Sequence, residues 1–144
     1  MIILTGGAGM IGSMIAWHLN TMLNQTEYVI VDNLLSPEQE KNIAKRHYID
    51  FIDKDNLTKY LKRNNKVEAI IHMGAISATT ENNFDNLLKS NIRYSQFLWK
   101  WSAEHKVPLV YASSAATYGN GDFGYEDMNN NLASLNPLNA YGYS

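Results

Sequence analysis

Short apolar runs recur along this chain and are separated by polar or glycine-containing junctions. The runs are too short for helices, and most are rich in Ile and Val, which indicates buried strands. These predicted strands lie at residues 2–4, 28–31, 47–50, 69–72 and 109–112.

The intervals between the runs carry apolar residues at helical spacing. A helix is predicted over about 10–23, a weak one after the Ser-Pro-Glu at 36–38, and a short one around 57–61. A long helix is predicted over 84–104, while 113–137 is polar and typical of a loop. The long helix carries one apolar stripe, formed by Leu87, Leu88, Tyr94, Leu98 and Trp101.

Strands that alternate with helices are typical of an α/β fold. Right-handed crossovers then give a doubly wound, Rossmann-type parallel sheet with helices on both faces. Ligands of such sheets lie at the carboxyl ends of the strands. Here those ends are polar or contain glycine, at 5–6, 32–33, 72–74 and 112–114, so one edge of the sheet is expected to bind a ligand.

The first strand runs directly into a glycine-rich turn. Residues 5–12 contain G-x-x-G-x-x-G through Gly6, Gly9 and Gly12, and also G-x-G-x-x-G. Glycine permits a tight turn, approach of a pyrophosphate to the backbone, and close helix–strand packing. The following helix N-terminus offers N–H groups to phosphates. Asp32 lies 20 residues beyond Gly12, where a carboxylate is expected to bind ribose hydroxyls. The turn therefore predicts a dinucleotide site, against the alternative of a plain glycine turn with a solvated aspartate.

The choice between NAD and NADP stays open on these residues. A carboxylate at the position of Asp32 favours NAD, because it repels a 2′-phosphate. Asn33 follows it, and Lys41 and Lys54 are near in sequence, so these three side chains are candidates to accept a 2′-phosphate if Asp32 turns aside.

Several polar residues occupy positions where packing favours apolar ones or where strands end. Asn91 lies on the apolar stripe of the long helix, and a buried amide needs partners. It either ties a strand-end loop or the cofactor in place, or makes an interhelical hydrogen bond. His72 ends a strand without a partner motif, which favours a structural histidine over an acid–base group. Ser113 and Ser114 follow a strand at the ligand edge.

Composition and charge narrow the classes of function. The net charge of -2 gives no basic field for nucleic acid or an anionic membrane. The chain has no cysteine, which excludes disulfides, thiolate metal sites and a cysteine nucleophile, and no spaced His or carboxylate set predicts a metal site. No run approaches 18 apolar residues, and the N-terminus does not read as a signal peptide. These features are compatible with a cytoplasmic protein.

The motifs together resemble the extended short-chain dehydrogenase/reductases that act on nucleotide sugars. The resemblance rests on the segments 5–12, 31–33, 114–119 and 141–144. The segment 72–81, with its Gly-Ala-x-Ser-x-Thr-Thr-Glu, is more narrowly similar to the branch that epimerises ADP-heptose. That branch implies an NADP-dependent isomerase of lipopolysaccharide precursor synthesis, cytoplasmic in Gram-negative bacteria, homo-oligomeric, and acting at C6″ of an ADP-heptose-type nucleotide sugar.

The same resemblance assigns roles to positions. Tyr141 matches the tyrosine of a Tyr-x-x-x-Lys pair, which exchanges a proton with the sugar hydroxyl, and Ser114 matches the serine that hydrogen-bonds the reacting oxygen. Asn33 and Lys54 become contacts of a 2′-phosphate, although another lysine of the family is replaced here by Gln39. The implied cofactor residues are Gly6, Gly9, Met10, Ile11, Gly12, Asp32, Asn33, Lys54, Met73, Gly74, Ala75, Ile76, Ser77 and Asn91.

Two departures limit the resemblance. Related dehydratases have Thr-Asp-Glu where this chain has Ser114-Ala115-Ala116, and alanine cannot supply the acid–base groups that elimination of water needs. The partner lysine would be residue 145, one beyond Ser144. We therefore expect 1–144 to be an incomplete NAD(P)-binding Rossmann domain with little epimerase activity by itself. Another nucleotide-sugar epimerase or reductase, or a non-catalytic NAD(P)-binding module, remains the alternative.

Overall fold

The apolar runs form one sheet in the computed structural model, which describes residues 1–34, 36–64, 66–126 and 132–144. Every strand pairing in these ranges is parallel, and the strand order is β3-β2-β1-β4-β5. The strands are β1 (Ile2–Thr5), β2 (Tyr28–Val31), β3 (Asp50–Ile52), β4 (Ala69–His72) and β5 (Leu109–Tyr111).

The order of strands reverses at β1, which lies in the centre. The chain moves outward from β1 to β3 on one side and then returns to β4 on the other. Right-handed crossovers that run in opposite directions place their helices on opposite faces of the sheet. The prediction of a doubly wound, Rossmann-type α/β fold is therefore confirmed, and the reversal at β1 is where such sheets bind ligands.

The two central strands owe their position to their apolar sequences. All four residues of β2 are buried, as are the last three of β1. Ile30 and Leu4 are fully buried together with Ala16 of the first helix. Full burial of one large aliphatic side chain contributes about 1.5–3 kcal/mol, so these strands form the most stable part of the sheet.

Short helices connect the strands, near the predicted positions. The segment predicted as a helix over 84–104 is helical throughout, and its middle, at Leu88–Arg93, is a π-helical turn. Residues 115–118 and 132–134, inside the segment predicted as a loop, form 3₁₀ turns, and 127–131 of that segment lie outside the described residues. The helices are α1 (Met10–Thr21), α2 (Pro37–Ile43), α3 (Leu57–Arg63, after a 3₁₀ turn at Lys54–Asn56), α4 (Phe84–Leu87), α5 (Tyr94–His105) and α6 (Ala140–Tyr143).

The apolar spacing of α1 marks only part of its buried face. Leu19 is buried as that spacing predicts, whereas Ile11 and Met22, at the same spacing, are 57% and 64% exposed. The buried residues also include Gly12. A side chain on Gly12 would collide with the carbonyl oxygen of Gly6. The absence of a side chain at Gly12 therefore lets α1 pack closely on the glycine turn.

The prediction of β3 at 47–50 is wrong by about three residues. The Nδ2 of Asn20 donates to the carbonyl of His47 at 2.8 Å, and its Oδ1 accepts from the N–H of His47 at 2.9 Å. These bonds hold the backbone at His47 against the end of α1. The β2–β3 ladder begins later, where Val29 pairs with Asp50.

The chain divides into two compact units. The sheet unit contains Met1–Gly74 and Leu98–Tyr111, with every strand named above, and the loop unit contains Ala75–Phe97 and Ala112–Ser144. Among the described residues, no helix has the length and apolar character needed to cross a membrane. The same residues contain no cluster of three or more His, Asp or Glu side chains that could hold a metal ion.

Candidate functional site: a dinucleotide-binding sheet edge and a serine–tyrosine pair

The glycine turn of the sheet unit lies against the chain that leaves β4. Gly6 has a φ of +68°, and a Cβ there would lie 2.5 Å from the amide nitrogen of Gly74. The N–H of Gly6 donates to the carbonyl of Val31 at 2.8 Å, which connects the turn to the end of β2. Both its backbone conformation and the close approach require glycine at position 6.

Helix α1 begins immediately after this turn without a side-chain cap. Its N-cap is Gly9, whereas Ser36 and Asn83 cap α2 and α4 with their side chains. The N–H of Ser13 makes the first bond of the helix, to the carbonyl of Gly9 at 2.9 Å. The N–H groups of the first turn, from Met10 onward, thus have no side-chain oxygen on them. Since helix N-termini bind phosphate, this end fits the pyrophosphate of a dinucleotide.

Asp32 lies beside the turn and its two carboxylate oxygens both accept backbone hydrogen bonds. Oδ2 accepts from the N–H of Ala8 at 2.9 Å, and Oδ1 accepts from the N–H of Asn33 at 2.8 Å. The Oδ1 of Asn33 accepts from the N–H of Lys54 at 3.3 Å. The sheet unit therefore brings Asp32, Asn33 and Lys54, predicted on the adenosine side of the cofactor, to one place, while Lys41 lies in the last turn of α2.

His72 is buried beneath this edge. Its Nδ1 is 2.6 Å from the Oγ1 of Thr5, and the same hydroxyl accepts from the N–H of Gly74 at 3.3 Å. Burial lowers the pKa of His72 from 6.5 to about 4, so the ring is neutral at pH 7. A 5% exposed ring that supports β1 and β4 fits the structural interpretation of this histidine.

Asn91 organises the loop unit from the centre of the π-helical turn. Its Oδ1 accepts from the N–H of Ile76 at 2.8 Å, and its Nδ2 donates to the carbonyl of Ile76 at 3.0 Å. Its other amide hydrogen is donated to the Oγ of Ser144 at 2.8 Å. Asn91 therefore combines the two roles considered for it: it ties the loop at 75–77, and its bond to Ser144 joins its own helix to the end of α6. The predicted cofactor loop is divided, since Met73 and Gly74 belong to the sheet unit.

Ser114 and Tyr141 lie on adjoining turns of the loop unit. Ser114 caps the 3₁₀ turn that follows it, and its Oγ accepts from the N–H of Ala116 at 3.2 Å. Tyr141 lies in α6, where a Cβ on Gly142 would be 2.9 Å from the carbonyl oxygen of Ala116. Helix α6 therefore packs directly on the turn of Ser114. The Oγ of Ser144 also donates to the carbonyl of Tyr141 at 2.8 Å, a link that the sequence analysis did not predict.

Comparison with known proteins defines the class. The sequence profile of the NAD-dependent epimerase/dehydratase family matches residues 2–144, and the chain belongs to that family. Within it, the ADP-L-glycero-D-manno-heptose-6-epimerase of Fusobacterium nucleatum is 52% identical over all of this chain, which corresponds to 45% of that protein. The predicted resemblance to the ADP-heptose branch is thus confirmed, and the chain spans a little under half the length of the curated relatives it matches.

Solved structures agree with this assignment. The ADP-L-glycero-D-manno-heptose-6-epimerase of Helicobacter pylori superposes with a TM-score of 0.80 at 30% identity, over 99% of this chain and 46% of that one. The UDP-glucuronic acid 4-epimerase of Bacillus cereus, in complex with NAD, gives 0.73 at 22% identity, over 99% of this chain and 47% of that one. The second likeness shows the fold alone.

Proposed function

We propose that the protein containing this chain epimerises C6″ of the heptose in an ADP-glycero-manno-heptose. The 52% identity to a named heptose epimerase is the observation that carries the substrate class. The product would serve as a lipopolysaccharide core precursor, made in the cytoplasm of a Gram-negative bacterium by a homo-oligomeric enzyme. The sequence Ser114-Ala115-Ala116, which lacks the acid–base groups that elimination needs, argues against dehydration.

The residues of the sheet unit fit a nicotinamide dinucleotide. The uncapped start of α1 fits the pyrophosphate. A Cβ on Gly9 would lie 3.3 Å from the carbonyl oxygen of Gly6, and no other described atom beyond its chain neighbours and its own helix comes within 4 Å, so a ligand can approach this side. Met10, Ile11 and Gly12 supply the first turn of that helix. When bound, the cofactor supplies a reversible hydride acceptor, as the family requires.

We propose NADP as the preferred cofactor. Both oxygens of Asp32 accept backbone N–H bonds, which turns the carboxylate toward the glycine turn and Asn33. The amide side chain of Asn33 and the ammonium of Lys54 then bind the 2′-phosphate. NAD remains the alternative, and parallel titrations with the two cofactors decide between them, because a Lys54→Ala change should weaken NADP binding and leave NAD binding nearly unchanged.

The loop unit supplies the groups that act on the sugar. A tyrosine hydroxyl ordinarily ionises near pH 10, so the proton exchange assigned to Tyr141 requires a neighbouring cation, the role of the family's lysine. Tyr141 takes the proton of the C6″ hydroxyl while a hydride leaves the same carbon, and returns the proton when hydride is added to the opposite face. Ser114 donates a hydrogen bond to the reacting oxygen. Ala75, Ile76 and Ser77, held by Asn91, border the cofactor.

A substrate panel with the whole protein tests this proposal. We expect interconversion of the two C6″ epimers of ADP-glycero-manno-heptose, measured by NMR, and no conversion of UDP-sugars. A Tyr141→Phe variant should lose about a hundredfold to ten-thousandfold in kcat, the usual contribution of acid–base catalysis, and keep its affinity for the cofactor. Activity on UDP-sugars alone would show that the substrate class is wrong.

A further inference from the structure

The peptide of Ala8, in the middle of the glycine turn, is held by side chains on both of its polar groups. Its N–H donates to Oδ2 of Asp32 at 2.9 Å, and its carbonyl accepts from Nδ2 of Asn42 at 2.9 Å. Ala8 itself is fully buried. No motif of the sequence marks Asn42, which lies in α2, 34 residues away along the chain.

The two side-chain hydrogen bonds act on a part of the backbone that is intrinsically flexible. Ala8 lies between two glycines, which lose more conformational freedom on ordering than other residues. A backbone bond from the N–H of Gly9 to the carbonyl of Gly6, at 3.1 Å, also closes the turn. Fixing the Ala8 peptide therefore restricts the turn before a ligand arrives, which lowers the entropic cost of binding.

Helix α2 is built to hold Asn42 in this position. The Oγ of Ser36 caps the helix by accepting from the N–H of Gln39 at 3.3 Å, and Pro37 occupies its first turn. Ile43, next to Asn42, is 5% exposed and belongs to the same core cluster as Ala8. The amide of Asn42 is thus presented to the turn by a helix that the core anchors.

We propose that Asn42 is a positioning residue for the dinucleotide-binding turn. It acts through the Ala8 carbonyl, keeping the turn and the carboxylate of Asp32 in the arrangement that receives the cofactor, and it does not touch the cofactor. This inference rests on the proposed function, because it presumes that the turn binds a nicotinamide dinucleotide.

Asn20 provides a matched control in the same unit. It is also an asparagine that joins a helix to a distant backbone, with bonds to His47 and to the carbonyl of Gln25 at 3.0 Å. It lies at the other end of α1 from the glycine turn. An Asn20→Ala change should therefore lower stability without affecting the binding turn.

Calorimetric titration of the whole protein with NADP and NAD tests the proposal. Asn42→Leu, which keeps the number of side-chain heavy atoms and removes the donor, should weaken binding by about tenfold, the value of one hydrogen bond of about 1.4 kcal/mol. Asn42→Gln, a smaller perturbation that keeps the amide but moves it by one methylene, should weaken binding less. Asn20→Ala should bind as the unsubstituted protein does, with a lower unfolding midpoint.

Two results would overturn the inference alone, and a third would overturn the proposed function as well. Unchanged affinity in folded Asn42→Leu or, should that variant not fold, in Asn42→Ala, which also removes the donor, shows that the bond does not position the turn. Equal losses in Asn20→Ala show that general destabilisation explains the effect. If the unsubstituted protein binds neither cofactor, the proposed function fails and this inference fails with it.

Discussion

A neutral imidazole supports the edge of the sheet where the cofactor is proposed to bind. The hydroxyl of Thr5 lies between His72 and the N–H of Gly74, so one small side chain connects β1, β4 and the chain that leaves β4. Because burial opposes the charged form of His72, its pKa in the fold is about 4, against 6.5 for the exposed side chain. The sheet edge therefore keeps its hydrogen bonds at neutral pH and is sensitive to acid.

The stability of the protein should fall between pH 6.5 and pH 4 because of this histidine. In that range the unfolded chain binds a proton that the folded chain does not, so the free energy of unfolding decreases as pH falls. The stabilisation that is lost when His72 must take up a proton is fully present above pH 6.5. It amounts to about 3 kcal/mol in the free energy of unfolding, at about 1.36 kcal/mol per pKa unit. Urea unfolding of His72→Gln across this range should show a shallower pH dependence.

His18 provides the control for that measurement because it is exposed on α1. A His18→Gln variant, measured over the same range, shows the effect of removing a histidine that is not buried. If His72→Gln and the unsubstituted protein give the same slope, burial of His72 does not govern the acid sensitivity.

At the scale of elements, the glycine turn and α1 use glycine for two different purposes. Gly12 is needed for folding, since a side chain there collides with the carbonyl of Gly6. Gly9 has an ordinary φ of −72°, and a Cβ there would lie 3.3 Å from the carbonyl oxygen of Gly6, a far looser contact than at Gly12. Because Gly9 has no side chain, there is room beside the helix N-terminus, where the phosphates are proposed to bind.

Substitution by valine should separate these two purposes. We expect Gly9→Val to fold with an unfolding midpoint within a few degrees of the unsubstituted protein and to lose at least about a hundredfold in NADP affinity, because the bulky side chain blocks the approach of the pyrophosphate. Gly12→Val should instead lose more than about 3 kcal/mol of stability, as expected for strain in a packed region. Thermal unfolding and calorimetric titration of both variants measure this, and tight binding by Gly9→Val would contradict it.

Local sequence predicts the bounds of some elements correctly and those of others incorrectly. Strands β2 and β4 are found at the predicted residues, because apolar runs bounded by polar residues fix both their ends. The displacement of β3 arises from the side chain of Asn20, a long-range contact that no local pattern encodes. The hydrogen bonds of Asn91 likewise depend on where Ile76 lies in the fold, which local sequence does not show. The candidate site follows the same division, since the glycine motif and Asp32 are local signals, while Asn42 is recognisable only in the fold.

At the scale of the molecule, the two units carry different parts of the proposed reaction. The sheet unit holds the glycine turn and Asp32, whereas Ser114 and Tyr141 both belong to the loop unit. Binding of the cofactor phosphates and transfer of the proton are therefore assigned to different compact units, which a ligand is expected to affect to different extents.

Cofactor binding should stabilise the sheet unit by mass action. At a free NADP concentration of about 100 Kd, the free energy of unfolding should rise by about 2.7 kcal/mol, and amide exchange should slow at the glycine turn and the start of α1. Hydrogen exchange followed by mass spectrometry, with and without NADP, measures both effects. The Gly9→Val protein is the control, and an equal gain in protection there would show that the effect is not due to binding at the turn.

The two hydrogen bonds of the Asp32 carboxylate bear on redesign of coenzyme preference. The acidic residue at the end of the second strand is the position that distinguishes NAD from NADP in such folds, so its exchange is the obvious first change. Here that exchange would also release the N–H of Ala8 and loosen the turn that both coenzymes share. An engineer who wishes to alter selectivity without sacrificing affinity should keep Asp32 and vary Asn33 and Lys54, where the chain offers side chains that do not bear on the turn.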